Sequence, residues 1–203
     1  MLLCDIGNTT YHFLDENGDY KKSVDSFDPA SIKESIYYIC VEPSIKQTLK
    51  KLQNWIDLSE KIDIDKYYET MGIDRIVACE AVKEGVIVDV GSAITVDVKR
   101  DGEFQGGFIY PGSRAMNLTY KNISSALDYE FNYELDTSKL PKNSVDAISY
   151  GYLKLLYSEV TSYNLQIILT GGDAHLFKKL FTDAQINETL IFEGMKKLIQ
   201  TTA

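Results

Sequence analysis

Two short segments carry residue types that could bind a phosphate and a metal ion: "DIGNTT", which begins at Asp5, and "DVGSAIT", which begins at Asp89. Each follows an apolar run that is typical of a buried strand, so the carboxylate would lie at the end of that strand. A carboxylate oxygen there can hold Mg²⁺, and the following glycine lets backbone N–H groups approach an oxyanion closely. A single D-x-G segment would favour a simpler interpretation, in which the aspartate is only a turn residue.

The chain contains this pattern twice. Asp5 and Asp89 lie 84 residues apart, and the offset holds without a gap from Leu2 and Val86 onwards. Both copies continue into a hairpin-turn signal and an aromatic residue, at Asn17-Gly18 with Tyr20 and at Asp101-Gly102 with Phe104. Chance rarely repeats all of these features at one offset, so we predict a duplicated structural unit. Two such hairpins facing each other would hold a nucleotide triphosphate from both sides.

Composition limits the possible partners. The chain has 203 residues, a net charge of -9 and no basic cluster, which argues against nucleic acid or an anionic membrane surface. Cys4, Cys40 and Cys79 lie in apolar contexts without a C-x-x-C spacing, as expected for buried, reduced thiols in a cytoplasmic protein. No apolar stretch of membrane-spanning length and no signal-peptide pattern is present, so we expect a cytoplasmic location.

Strands precede helices in each half of the sequence. Short apolar runs predict strands at 2–4, 11–14, 36–41, 86–88, 95–98 and 166–169. Helical periodicity predicts helices at 44–55, 76–83 and 145–160, the last with Ser144 as N-cap and with Leu155 on its apolar face, and further helices after Gly172 and at 193–200. We therefore predict two closely packed α/β halves, residues 1–83 and 84–203.

This layout resembles the superfamily of acetate and sugar kinases, heat-shock 70 proteins and actin. Within that superfamily, "DIGNT", "GIDR", "DVGSAITVD" and "GGFIYPG" resemble, in this order, the motifs of type III pantothenate kinases. The resemblance implies duplicated actin-like (ribonuclease H-like) βββαβα domains with an interdomain cleft. It also implies an ATP-dependent kinase that converts pantothenate to 4'-phosphopantothenate, with Mg²⁺, a monovalent cation (K⁺ or NH₄⁺) and a homodimeric state.

Two alternatives remain open from the sequence. One is another small-molecule kinase or a phosphohydrolase of the same superfamily, because a fold by itself does not identify a substrate. The other is a nucleotide-regulated binding protein without turnover.

The resemblance also assigns roles to the stretch from Gly72 to Arg75. Asp74 matches the base that accepts the proton from the pantothenate hydroxyl, whereas in isolation it would be interpreted as a helix N-cap. Gly72, Ile73 and Arg75 match substrate-binding positions, and a guanidinium can pair with the pantothenate carboxylate. The matching tyrosine is Tyr68, with Tyr67 as the alternative.

The remaining site residues are expected around ATP, the cations and the partner subunit. Asp89 matches the residue that binds the monovalent cation, and Asp5 is the expected Mg²⁺ ligand. Ser144 matches a threonine that reaches pantothenate across a dimer interface, or it only caps its helix. Gly106–Gly112 matches an element that shapes the site, and "TGGD" at 170–173 resembles the adenosine element. The expected ATP-binding residues are Asp5, Ile6, Gly7, Asn8, Thr9, Thr10, Tyr11, His12, Ser92, Gly171 and Gly172.

Overall fold

The computed structural model describes residues 1–200 of the chain. These residues form two compact units. The first unit is Met1–Val82 together with the segment that begins at Thr189, and the second is Lys83–Glu188.

The first unit is built on a five-stranded mixed sheet. Its strands lie in the order β3-β2-β1-β4-β5, in which β1 pairs antiparallel with β2 and parallel with β4. Buried apolar side chains alternate along β2, with Tyr11 and Phe13 in the core, whereas the edge strand β3 is exposed throughout. The elements are β1 (Leu2–Ile6), β2 (Thr10–Asp15), β3 (Gly18–Ser23), β4 (Ile36–Cys40), α1 (Pro43–Leu49), β5 (Trp55–Asp57), α2 (Ile73–Ala81) and α6 (Leu190–Gln200).

The second unit repeats this topology. Its sheet has the order β8-β7-β6-β9-β10, with β6 in the place of β1 and parallel to β9. The predicted duplication of an α/β unit is therefore confirmed. The elements are β6 (Gly85–Val90), β7 (Ala93–Arg100), β8 (Glu103–Pro111), α3 (Ser113–Ile123), α4 (Ser144–Ser162), β9 (Ile167–Thr170), α5 (Ala174–Phe177) and β10 (Gln185–Ile186).

The C-terminal helix lies with the first unit, whereas the sequence-based division places all residues from 84 to 203 in the second half. Helix α6 packs against α2, and a methyl group on Gly194 would collide with the backbone carbonyl of Val77. Lys197 Nζ donates to the carbonyl oxygen of Ala81 at 2.7 Å, at the end of α2. The close approach and this added hydrogen bond explain why the helix joins the first unit.

Three local predictions are wrong. The helix predicted at 44–55 ends at Leu49, and Trp55 begins a strand. Ser144 is the first residue of α4, and the N-cap is Asn143, whose side chain accepts a hydrogen bond from the N–H of Asp146 at 2.9 Å. Leu155 lies on the exposed face of α4.

Candidate active site

The first D-x-G segment forms the turn between β1 and β2. Asp5 is half-buried on β1, opposite His12 on β2 and beside Ile39 on β4. The N–H of Gly7 donates to the carbonyl oxygen of Thr10 at 3.0 Å and closes the turn. The N–H of Gly7 is therefore used inside the turn, whereas it was expected to donate a hydrogen bond to a phosphate of ATP. The exposed residues of the turn are Asn8 and Thr9.

Other predicted nucleotide-binding residues of this strand pair are engaged elsewhere. The side chains of Ile6 and Tyr11 lie in the core, so only their backbone could contact a ligand. The Nε2 of His12 lies 2.8 Å from Oδ2 of Asp19, and this hydrogen bond lowers the pKa of Asp19. Burial raises the pKa of the Cys4 thiol, and the neighbouring charge of Asp5 adds to the effect, so Cys4 remains a neutral core residue.

The second D-x-G segment forms a tighter turn between β6 and β7. Asp89 is half-buried, opposite Thr95, and the N–H of Gly91 donates to the carbonyl oxygen of Ala93 at 3.0 Å. Ser92 is exposed at its tip. Three residues connect the paired positions Val90 and Ile94. Four residues connect Ile6 and Tyr11 in the first copy, so the repeat has a one-residue gap at this turn and the predicted gapless offset is wrong beyond it.

The turn after β9 lies directly against Asp89. Gly171 has a φ of +87°, and a methyl group there would collide with Oδ1 of Asp89 and lie 2.6 Å from the carbonyl oxygen of Val90. The N–H of Asp173 donates to that same carbonyl at 3.1 Å. Only glycine fits at position 171. A methyl group on Gly172 would instead point into open space, so this position is free of steric demands in the folded chain.

The "GGFIYPG" segment supports the second turn. Pro111 pairs with Ala93 in the β7–β8 ladder. A methyl group on the buried Gly112 would lie 2.5 Å from the carbonyl oxygen of Gly91 and would collide with that of Ser92. Gly112 is therefore in close contact with the backbone of the turn that carries Ser92.

The "GIDR" segment begins α2. Gly72 is the N-cap, Ile73 the first helical residue and Asp74 the second, so Asp74 is not the N-cap. Oδ1 of Asp74 accepts a hydrogen bond from the N–H of Arg75 at 2.8 Å. A carboxylate in the first turn of a helix is stabilised by the helix dipole, and Asp74 is half-buried there.

Arg75 is a buried cation, with 6% of its surface exposed. Its Nη1 donates to the hydroxyl of Tyr68 at 2.5 Å, and its guanidinium carbon lies 5.7 Å from the centre of the Tyr68 ring. Tyr67 is buried instead and donates from its hydroxyl to Oε1 of Glu80 at 2.8 Å. The structure therefore brings Tyr68, rather than Tyr67, to the residues that were predicted to bind substrate.

The donor set fits a magnesium ion that is held mainly by its substrate. Within residues 1–200, no three His, Cys, Asp or Glu side chains form a metal-binding group. Asp5 and Asp89 each place one carboxylate beside a glycine turn, and Mg²⁺ commonly binds through one carboxylate, waters and substrate phosphates.

Sequence reasoning missed two buried charged residues. Asp97 is only 1% exposed, and Lys99 on the same face of β7 is only 4% exposed. The only signal was their alternation with Val96 and Val98, which equally fits a solvated face. Burial of this kind depends on packing that a strand pattern does not encode.

A family model described as type III pantothenate kinase matches residues 40–164. A curated relative of that name from Sulfurimonas denitrificans is 61% identical over 200 residues, covering 98% of each chain. Another, from Campylobacter jejuni, is 39% identical and covers 98% of this chain and 97% of its own. Among the described residues, no helix combines the length and apolar composition that a membrane crossing needs.

Solved structures share the fold. A chain from Campylobacter jejuni, described as a conserved protein of the Baf transcriptional-activator family, is 37% identical with a TM-score of 0.88 and covers 100% of this chain and 98% of its own. A 2-dehydro-3-deoxygalactonokinase homologue from Sinorhizobium meliloti has a TM-score of 0.56 at 10% identity and covers 98% of this chain and 96% of its own. At that identity the likeness is one of fold.

Proposed function

This chain belongs to the type III pantothenate kinase family, and from that premise we propose which residues carry out its reaction. The enzyme transfers a phosphoryl group from ATP to pantothenate in coenzyme A biosynthesis. The cluster of Asp74, Arg75 and Tyr68 is the observation that supports the residue assignment. It offers a carboxylate for the hydroxyl of pantothenate, and a guanidinium with a phenol for its carboxylate.

Asp74 is the proposed general base. Pantothenate carries a hydroxyl that must lose its proton as the oxygen attacks the γ-phosphorus of ATP. The carboxylate of Asp74 is anchored by the N–H of Arg75 through Oδ1, which leaves its other oxygen available to accept that proton. Such a base also orients the nucleophile, which is the larger part of catalysis in phosphoryl transfer.

Arg75 and Tyr68 are the proposed ligands of the pantothenate carboxylate. The planar guanidinium of an arginine matches a carboxylate with two parallel hydrogen bonds, which suits it to recognise this end of the substrate. Tyr68 is 42% exposed while it contacts Arg75, so a ligand arriving from solvent at this arginine would meet the tyrosine as well. Gly72 and Ile73 complete the binding segment through their backbone.

ATP is proposed to contact both D-x-G turns and the Gly171-Gly172 turn. Asn8 and Thr9 are the exposed part of the first turn, and Ser92 that of the second. Gly172 leaves open space in which an adenosine could lie against bare backbone.

Cations are proposed at the two aspartates. Asp5 would hold the Mg²⁺ that accompanies ATP, and Asp89 a monovalent cation, K⁺ or NH₄⁺. When bound, these ions supply positive charge next to the triphosphate, which a chain of net charge -9 needs. Both aspartates are ordered beside turns whose backbone hydrogen bonds are already made, so ligand binding does not require the turns to refold.

A homodimer is proposed through α3 and α4. A methyl group on Gly151 of α4 would lie 3.4 Å from the Tyr120 hydroxyl of α3, so the two helices are neighbours there. Ile123 and Leu155 follow these positions by three and four residues, and their side chains are 68% and 66% exposed. Exposed apolar side chains on adjacent helices favour a protein partner. Ser144, exposed at the start of α4, would then reach the substrate of the other subunit.

The cytoplasm is the proposed compartment, supported by the burial of all three cysteines as thiols. The name of one structural relative describes it as a transcriptional activator, but the net charge of -9 argues against nucleic acid as a partner of this chain.

A coupled assay of ADP release tests the proposal. Purified protein is supplied with ATP, Mg²⁺ and either KCl or NaCl, and with pantothenate, glycerol or a hexose as acceptor. We expect turnover with pantothenate that is higher in KCl, and a loss of the KCl response in Asp89→Ala. Equal rates in both salts would contradict the cation assignment, and turnover only with another acceptor would contradict the substrate.

A further inference from the structure

Three tyrosines, of which Tyr133 and Tyr152 are buried and Tyr110 is half-buried, surround the end of β8 and the segment that follows it. The hydroxyl of Tyr152 donates to the carbonyl oxygen of Pro111 at 2.6 Å, and that of Tyr133 donates to Oγ of Ser113 at 2.6 Å. The hydroxyl of Tyr110 donates to the backbone carbonyl of Tyr152 at 2.8 Å. The residues on both sides of Gly112 are thus held by a phenol hydroxyl, although Pro111 itself is on the surface.

The tyrosine rings are themselves fixed by packing. The rings of Tyr110 and Tyr152 stack with their centres 5.2 Å apart, and Phe131 stacks on Tyr152 at 4.6 Å. Tyr133 meets the ring of Phe177 edge-on at 5.1 Å. Burial raises the pKa of Tyr133 and of Tyr152, so both hydroxyls stay protonated and remain hydrogen-bond donors. The network is therefore a rigid support rather than a titrating group.

Gly112 transmits this support to the turn that carries Ser92. It lies too close to the carbonyl groups of Gly91 and Ser92 for any side chain to fit between them. A shift of position 112 therefore forces a shift of the turn, because packed backbone atoms have no free volume to absorb it. Ser92 and Ala93 are exposed on the other side of the turn, so besides its own Gly91–Ala93 hydrogen bond the turn is held from the side of Gly112 and Pro111.

We propose that Tyr133 and Tyr152 are positioning residues for ATP, which hold the Pro111–Ser113 segment and, through Gly112, fix the turn that presents Ser92 to the nucleotide. This inference rests on the proposed contact between Ser92 and ATP. Neither tyrosine touches the nucleotide. Both instead determine the position of the Ser92 turn before ATP binds.

The test compares Tyr152→Phe and Tyr133→Phe with Tyr163→Phe. The control loses a hydroxyl that donates to Oε1 of Glu159 at 2.7 Å, at the far end of α4 and in the same unit. We expect the first two variants to raise KM for ATP by about three- to tenfold, as for one lost hydrogen bond, with KM for pantothenate unchanged. Hydrogen exchange of the peptide spanning residues 90–93 should become faster in both variants and not in the control.

Ser92→Ala separates this inference from the proposed function. If Ser92→Ala raises KM for ATP but the two tyrosine variants behave like Tyr163→Phe in both measurements, the positioning role is overturned and the ATP contact stands. If Ser92→Ala leaves KM for ATP unchanged, the proposed contact fails, and the positioning role fails with it. Because Tyr→Phe keeps the ring, thermal melting that matches the wild type confirms that any change in KM does not come from unfolding.

Discussion

Arg75 and Tyr68 form a pair in which a buried guanidinium is covered by a half-exposed phenol ring: Nη1 lies 2.5 Å from the tyrosine hydroxyl and Cζ 5.7 Å from the ring centre. A carboxylate that binds this guanidinium will meet Tyr68. The pair therefore offers a direct way to examine the substrate site without changing the charge of the protein.

Tyr68→Phe removes the hydroxyl and keeps the ring over Arg75. We expect KM for pantothenate to rise by about three- to tenfold, with kcat changed much less, because an interaction made equally in the ground and transition states is lost. Tyr67→Phe is the matched control, since it also loses one hydroxyl hydrogen bond, to Glu80. If Tyr67→Phe raises KM for pantothenate and Tyr68→Phe does not, the two tyrosines have been assigned in the wrong order.

Asp74→Asn keeps an oxygen that can accept the hydrogen bond from the N–H of Arg75, but it cannot accept a proton from the substrate. We expect kcat to fall by about 100-fold or more, the usual scale for a general base, while an ATP analogue binds as before in isothermal titration calorimetry. Asp63→Asn, which breaks an exposed ion pair with Lys66, should keep full activity. Wild-type turnover in Asp74→Asn would exclude Asp74 as the base.

Gly171 and Gly172 are adjacent residues with opposite requirements. Gly171→Ala combines a φ of +87° with a collision at Asp89, so we expect a loss of about 1 kcal/mol or more of unfolding free energy. Gly172→Ala meets open space and should unfold like the wild type. If adenosine lies against Gly172, this variant will nevertheless raise KM for ATP, and an unchanged KM would place the adenosine elsewhere.

Six of the strands and the two hairpin turns could be predicted from the sequence, because apolar runs and turn residues are local signals, whereas the sheet topology followed only from the family resemblance. The duplication was predicted for the same reason, and structure and relatives confirm the fold and the family. The one-residue gap at the second turn was not, since "VGSAIT" and "IGNTTY" align equally well as letters. Only the strand pairing reveals it, because Ile94 pairs with Val90 in the second unit as Tyr11 pairs with Ile6 in the first.

Contacts between distant segments could not be predicted. The motif order identified Gly112 as part of a functional element, but nothing in the sequence places it against Gly91. Likewise, the helical period of α4 assigned Leu155 to the core, because an apolar residue at a suitable spacing gives the same signal whether it faces the protein or solvent. Both outcomes depend on which surfaces come together, and that is a property of the packed chain.

Stability at low pH should depend on Asp57. Burial raises the pKa of this carboxyl, but hydrogen bonds from Ser59 and the ion pair with Lys46 outweigh it, so the pKa lies below its ordinary value of 3.8. A lowered pKa in the folded state means that the charged form is bound more tightly there. Its contribution is therefore complete above the unfolded-state pKa and is lost as the pH falls through the folded-state pKa.

Urea unfolding of Asp57→Asn and wild type at pH 7, 5 and 3 checks this sign. We expect the variant to be less stable at pH 7 and pH 5 and the difference to shrink at pH 3. Asp65→Asn, on an exposed neighbouring turn, should show a small difference that does not change with pH. A difference for Asp57→Asn that grows as the pH falls would contradict the assignment.

Leu155 tests the proposed dimer. It lies one helical turn beyond Gly151, which is close to Tyr120 of α3, and its side chain is 66% exposed. An interface on this face would remove that apolar side chain from water. Leu155→Arg places a charge in that interface, and we expect the dimer to dissociate to monomers in sedimentation velocity. Ile64→Arg, an equally drastic change at a 48% exposed position in the first unit, should remain dimeric.

Because Ser144 would act on the substrate of the other subunit, the Leu155→Arg monomer should also show a raised KM for pantothenate. A variant that stays dimeric would place the interface on another face, and a monomeric variant with an unchanged KM would remove Ser144 from the substrate site.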